Sequence, residues 1–244
     1  MALRITDISA DAILLIGGAR AILLQIANPE VGHGVAEHSD FAHRPLDRLH
    51  GTLTYLYVTV YGTPDEARAV ARAVGRAHAP VAGATDAGLQ LWVAATLYDT
   101  AIRVRELIYG PLADADAESL LADYAVVGTA LGVPRASWPG DRAAFARYWD
   151  SATVEVDDVA RGVASALLHP ANVPWWMRAL MPTVRLATAG LLSPSLRSAY
   201  GLELDERRYA RLVRTLRIVY PRLPRLMREA PMRRYLRGFR RLAG

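Results

Sequence analysis

Three observations predict an all-α protein, with residues 1–244 forming a single helical bundle domain. Apolar residues recur at spacings of three and four along nearly the whole chain. Alternation with a period of two never persists long enough for a sheet. Helix-start signals, namely Asn, Thr or Asp before a proline or an apolar run, come at regular intervals. The hydrophobic share of 52% is enough to fill one core, and no repeat, low-complexity tract or linker divides the chain.

Taken in order, the apolar run 9–27 predicts a first helix that ends before Asn28-Pro29, where Asn28 caps a short second one. Pro45 opens a third helix through Leu46, Leu49, Leu53 and Leu56 to Tyr61-Gly62. Thr63-Pro64-Asp65-Glu66 combines a capping hydroxyl, a first-turn proline and a capping-box glutamate. The helix it starts carries Val70, Val74, Ala77, His78 and Val81 and is expected to stop near Gly83, kinked at Pro80. Residues 86–109, long and largely apolar, with Leu89, Trp92, Val93, Thr96 and Leu97 giving a wide inward face, predict a central helix. Helices over 115–131, through Phe145, Tyr148 and Trp149, and over 157–168 follow, separated by Gly132-Val133-Pro134 and by Trp138-Pro139-Gly140-Asp141. Toward the end, Pro221, Pro224 and Pro231 are expected to cut the chain into short pieces.

Composition removes whole classes of chemistry. There is no Cys, which excludes disulfides, thiolate nucleophiles, iron–sulfur clusters and Cys-based zinc sites. All 29 basic residues are Arg, so Schiff-base and Walker-lysine chemistry is excluded too. The net charge of +5 is uneven, since eight arginines fall in 222–241 against the single acid Glu229. A solvated face is the plain reading of that tail, and peripheral contact with an anionic membrane is the functional one. No specific nucleic acid is expected as a partner. The N-terminus carries no secretory pattern. Runs 12–27 and 175–192 are interrupted by Arg20 and Gln25, and by Arg178, Pro182 and Arg185, so neither is expected to span a bilayer. A cytoplasmic location is the corresponding expectation.

Candidate chemistry centres on Arg48, Thr52 and His78. Arg48 and Thr52 stand four apart and share one helix face, and His78 on the next amphipathic helix can face them across a cavity. In a chain without Cys, His is the best remaining haem ligand. The same residues also admit plainer roles: His78 as a satisfied core side chain, Arg48 paired with Asp47 or Asp40, and Thr52 bonded back to its own helix. His33, His38 and His43 recur at five, which spreads them around an ideal helix, so only a loop could gather them on a metal. Glu37-His38-Ser39-Asp40 reads as a polar turn. Gly17-Gly18 lacks the strand and third glycine of a dinucleotide loop. It implies close approach of a flat ligand or, preferably, of a crossing helix.

The chain resembles the MpaB-type oxygenases, whose catalytic domain is shared with the latex-clearing rubber oxygenases. The resemblance rests on Leu15-Ile16-Gly17-Gly18-Ala19-Arg20-Ala21 with Gln25 and Asn28-Pro29, then on Gly34-Val35-Ala36-Glu37-His38-Ser39-Asp40-Phe41. It continues with Pro45-Leu46-Asp47-Arg48, Thr52, Tyr61-Gly62, His78 with Val81 and Gly83, Leu91-Trp92-Val93, and Leu196 with Tyr200-Gly201-Leu202. It implies a globin-like helical fold holding one haem b, with His78 as proximal iron ligand, Arg48 and Thr52 as the catalytic pair, and Arg48 and Arg20 as further cofactor contacts. The implied reaction uses molecular oxygen, with an electron donor as a further partner, to cleave a carbon–carbon double bond in an apolar, isoprenoid-like small molecule. Two positions depart from the pattern. Ala94 stands where relatives often carry His, and Gly51 where rubber oxygenases carry the Lys that closes the distal iron position. These departures keep a second reading open, a non-catalytic haem- or isoprenoid-binding protein.

Overall fold

The computed structural model describes residues 2–38, 45–81, 83–171 and 173–243, without the side chains of 38, 45–48 and 243. Among these residues there are helices and no strand, as the periodicity predicts. The chain opens with α1 (Ile5–Ile8), then turns through a tight 3₁₀ segment, Ala12–Gly17, into α2 (Gly18–Ile26). The single helix expected over 9–27 is therefore broken in two. The break lies at Gly17, where a Cβ would come within 2.5 Å of Thr100 Cγ2 and 2.9 Å of Val104 Cγ2. Only glycine allows so close a crossing, so the Gly17-Gly18 pair serves helix packing.

α3 (Pro29–His38) follows, and Asn28 Oδ1 accepts from the amides of Glu30 and Val31 as its cap. α4 (Pro45–Tyr61) and α5 (Pro64–His78) form a hairpin about Thr63, whose hydroxyl and the Glu66 carboxylate make the reciprocal capping box. α5 ends at His78, not near Gly83. Pro80 has no N–H to continue the ladder, so it terminates the helix where a kink was expected. α6 (Ala87–Tyr109) is capped by Asp86 and buries residues on every side, among them Leu91, Trp92, Ala95, Tyr98, Ala101 and Val104. It packs against the 3₁₀ segment, α2 and α7 (Asp114–Thr129), which makes it the central helix.

Next come α8 (Arg142–Ser151) and α9 (Asp158–Leu168), capped by Asp141 and Asp157. α10 (Trp175–Leu191), α11 (Pro194–Ala199) and α12 (Glu206–Val219) lead to the short α13 (Arg225–Arg228) and to α14 (Ala230–Ala243). Pro221 and Pro224 do cut the chain, but Pro231 does not. It falls in the first turn of α14, where a missing N–H costs nothing, and a full helix continues past it.

The core has two main parts. Leu53, Tyr57, Val58, Leu91, Tyr98, Leu121 and Trp138 join α4, α6 and α7, while Leu23, Leu24, Ile26, Ala160, Leu168 and Tyr200 join α2 and α9. Among the described residues no single helix is long and apolar enough to cross a membrane, and the apolar segments Ala12–Ile26 and Pro29–Glu37 meet at a bend of 104°.

The arginine-rich end is largely tied to the protein. Glu229 is clamped between Arg225 and Arg233, Arg228 reaches Asp11 and the Tyr109 hydroxyl, and Arg240 pairs with Glu66 at 2.7 Å. Arg222 and Arg237 donate to carbonyls of their own segments, Ile218 and Arg233. Met232 and Leu236 bury the apolar face of α14 against α4, and the Tyr235 ring lies 4.9 Å from that of His50.

Candidate active site

α4 and α7 run antiparallel, as three anchor points show. Near the Tyr61 end of α4, Tyr61 Oη donates to the Thr6 carbonyl while Asp123 of α7 accepts from the Ile5 amide. Further along, Tyr55 Oη donates to the Val127 carbonyl. The first turns of α4 therefore lie beside the C-terminal end of α7. The α4–α5 hairpin returns His78 to that same end: Arg48 and His78 are 13 and 14 residues from the respective ends of the turn, roughly 20 Å along each helix at about 1.5 Å per residue.

At this end of the bundle lies a groove of about 550 Å³ lined by Ala67, Arg68, Ala71, Arg72, Gly75 and His78 of α5, by Thr85 and Gln90 at the start of α6, and by Ala130, Leu131 and Gly132 beyond α7. That volume falls within the usual range of about 300–1,000 Å³ for small-molecule sites. Its walls are mostly small residues. A Cβ added at Gly75 or Gly132 would meet nothing within 4 Å, and Gly132 takes φ 107°, the left-handed turn that folds the chain back over the groove. His78 is half-buried in it.

The sequence candidates divide. Thr52 is exposed and shares a stripe of α4 with Tyr55 and Thr59, the stripe that faces α7; it is at the same end as the groove without lining it. Arg48 continues that stripe by one turn in the backbone of α4, and its side chain lies outside the described residues. Arg20 sits elsewhere. Only 2% exposed, it donates from Nε to the Leu191 carbonyl at 2.9 Å, from Nη1 to Thr100 Oγ1 at 2.6 Å and from Nη2 to Asp99 Oδ2 at 2.6 Å. Burial lowers its pKa and Asp99 opposes the shift, so the guanidinium works as an internal clamp joining α2, α6 and α10. Asp99 and Gln90 are nine residues apart on α6, about 13 Å along its axis.

His33 Nε2 lies 2.8 Å from Asp157 Oδ2, at an exposed contact of α3 with the start of α9. The side chain of His38, together with Ser39, Asp40 and His43, is outside the described residues. No cluster of three metal-ligating side chains occurs among the described ones. The Ala94 departure has a packing counterpart: Ala94 is buried, and a Cβ built on Gly128 of α7 would already stand 3.4 Å from its methyl. The Gly51 position is the reverse, exposed with open space around it. Sequence reading missed Arg68 and Arg72. Their signal was present, since a helical projection of α5 puts 68 and 72 beside the stripe of 67, 71, 75 and 78.

Residues 6–218 match the family model described as ER-bound oxygenase mpaB/B'/rubber oxygenase, catalytic domain. The chain belongs to this family of oxygenases. It is 37% identical over 229 residues to an uncharacterized protein of Mycobacterium tuberculosis (strain ATCC 25618 / H37Rv), covering 84% of this chain and 88% of the relative, and equally to an uncharacterized protein of Mycobacterium bovis (strain ATCC BAA-935 / AF2122/97). No solved structure matches.

Proposed function

We propose that this oxygenase depends on haem b, held by His78, and that it cleaves a carbon–carbon double bond of an apolar, isoprenoid-like substrate with molecular oxygen. The observation that carries the reading is the half-buried imidazole on a groove of about 550 Å³ lined largely by small residues, with guanidinium groups at its side. An imidazole nitrogen is a suitable donor for haem iron, so the residues present fit the group. When bound, haem supplies the capacity to bind and activate oxygen.

The remaining work belongs to the chain. The groove excludes water from one face of the ligand and offers apolar contact to an alkene. In this reading the Thr52 hydroxyl and the Arg48 guanidinium, from the α4 turns at the same end of the bundle, are assigned as the donors toward a polar oxygen atom. Arg20 enters as the clamp that fixes α2 and α10 on α6. The reading takes residues 1–244 as one globin-like catalytic domain in the cytoplasm, with an electron donor as partner and the arginine-rich end as the surface available to an anionic membrane.

The test is to purify the protein after haem-supplemented expression and to measure oxygen consumption with a panel of polyprenyl and terpenoid alkenes. Turnover giving carbonyl products, lost in His78→Ala, is the expected result. Haem binding without turnover on any of them would favour the binding-only reading that the Ala94 and Gly51 departures motivate.

A further inference from the structure

We infer that Arg72, with Arg68 beside it, receives the propionate carboxylates of the haem at the mouth of the His78 groove. The inference rests on the haem reading above and assigns the charged end of that same site.

The groove is asymmetric in charge. Its lining includes two guanidinium groups and a histidine, and among the described residues it includes no carboxylate. Arg68 and Arg72 are four apart on α5, hence neighbours on one side of the helix. Among the described residues Arg68 is engaged by Asp65, in an exposed pair three residues away, the kind of surface contact that is weakly held and readily exchanged. Arg72 makes no ion pair with any described residue, and it is exposed at the groove edge.

Spacing supports the assignment. His78 lies six residues beyond Arg72, about 9 Å along the axis of α5, and Gly75 is the lining position between them. A ligand held by its centre at His78 and lying along that apolar floor brings its periphery to the arginines. Haem has this polarity, with a metal at the centre, an apolar edge, and two carboxylates on one side only. A guanidinium fork matches a carboxylate in geometry as well as charge. On this assignment Arg48 is left to the oxygen or substrate role proposed for it above.

Titration of the apoprotein with haemin and with haemin dimethyl ester, followed in the Soret region, tests the idea without reference to turnover. The wild type is expected to bind haemin about tenfold or more tighter than the ester, the difference a charge-assisted hydrogen bond makes. Arg72→Ala, and more so Arg68→Ala/Arg72→Ala, should lose that preference while keeping the wild-type band position, because His78 is untouched. Arg72→Lys should recover part of it. Equal binding of acid and ester by the wild type, or an undiminished preference in the double variant, would overturn the inference and leave the haem reading standing. No Soret band with either compound would end both.

Discussion

At the scale of the residue, the positions that make this sequence recognisable are mostly architectural. Arg20 spends three nitrogens on Leu191, Thr100 and Asp99, the Tyr200 hydroxyl donates to the Leu23 carbonyl at 2.6 Å, and Trp92 Nε1 donates to the Gln25 carbonyl at 3.3 Å. Each ties a side chain to a distant element, and none lines the groove. Arg20→Ala should thus cost about 3 kcal/mol of stability in urea unfolding, because it takes the buried donor from the Leu191 carbonyl and the Thr100 hydroxyl and leaves Asp99 to the exposed Arg103, while the folded fraction keeps its haem affinity. A parallel loss of affinity at unchanged stability would assign Arg20 to the cofactor instead. Two glycines give an opposed pair of outcomes. Gly17→Ala forces a methyl against Thr100 and Val104 and should cost about 1–3 kcal/mol. Gly51→Ala, exposed and meeting nothing, should gain roughly 0.5–1 kcal/mol from helix propensity, read by the same unfolding experiment.

At the scale of the element, local chemistry marked most helix starts. Pro45, Thr63 with Glu66, Asp86, Asp141 and Asp157 all act where the sequence places them, since a cap depends on residues three apart and little else. Helix ends and breaks were less legible. Pro80 stops α5 and Pro231 sits inside α14, and the two differ only in how many helical residues precede each proline. The groove was half legible: His78 follows from its helix, but Ala130, Leu131 and Gly132 reach it through the turn after α7, a long-range pairing that no local spacing encodes.

The α14 clasp gives an element-level prediction. Arg240 and the Thr63 amide hold the Glu66 carboxyl down at about 2, below its ordinary 4.5. A depressed carboxyl contributes stability above its unfolded pKa and loses it as pH falls toward the folded value. Protection of α14 and of the first turn of α5 in pulsed hydrogen exchange should therefore decline between about pH 4.5 and 2, and Glu66→Gln should show the weaker protection already at neutral pH. Unchanged protection in that variant would mean that Met232 and Leu236 hold α14 without the ion pair.

At the scale of the whole molecule, the hairpin of α4 and α5 and the antiparallel run of α7 bring one end of the bundle to an open groove, while α1 and Asp123 lie at the opposite end. The central helix α6 packs on the 3₁₀ segment, α2 and α7, so the site is built at the rim of the packed core. The family match covers residues 6–218, and α13 and α14 lie beyond it, fastened to the matched region through Asp11, Tyr109 and Glu66. Removal of 219–244 would expose the α4 face around Leu53 and Tyr57, and a cooperative but lower thermal transition is the expected outcome of that truncation by calorimetry; an unchanged transition would mean that α14 adds nothing to the core.

The most direct test is the visible absorption spectrum of the purified protein, oxidised, reduced with dithionite and with carbon monoxide added, compared between wild type and His78→Ala. A Soret band in the wild type, with ligation altered or haem content lost in the variant, is the expected result. A wild type without haem, or a variant whose spectrum and haem content match it, would contradict the assignment of the iron to His78.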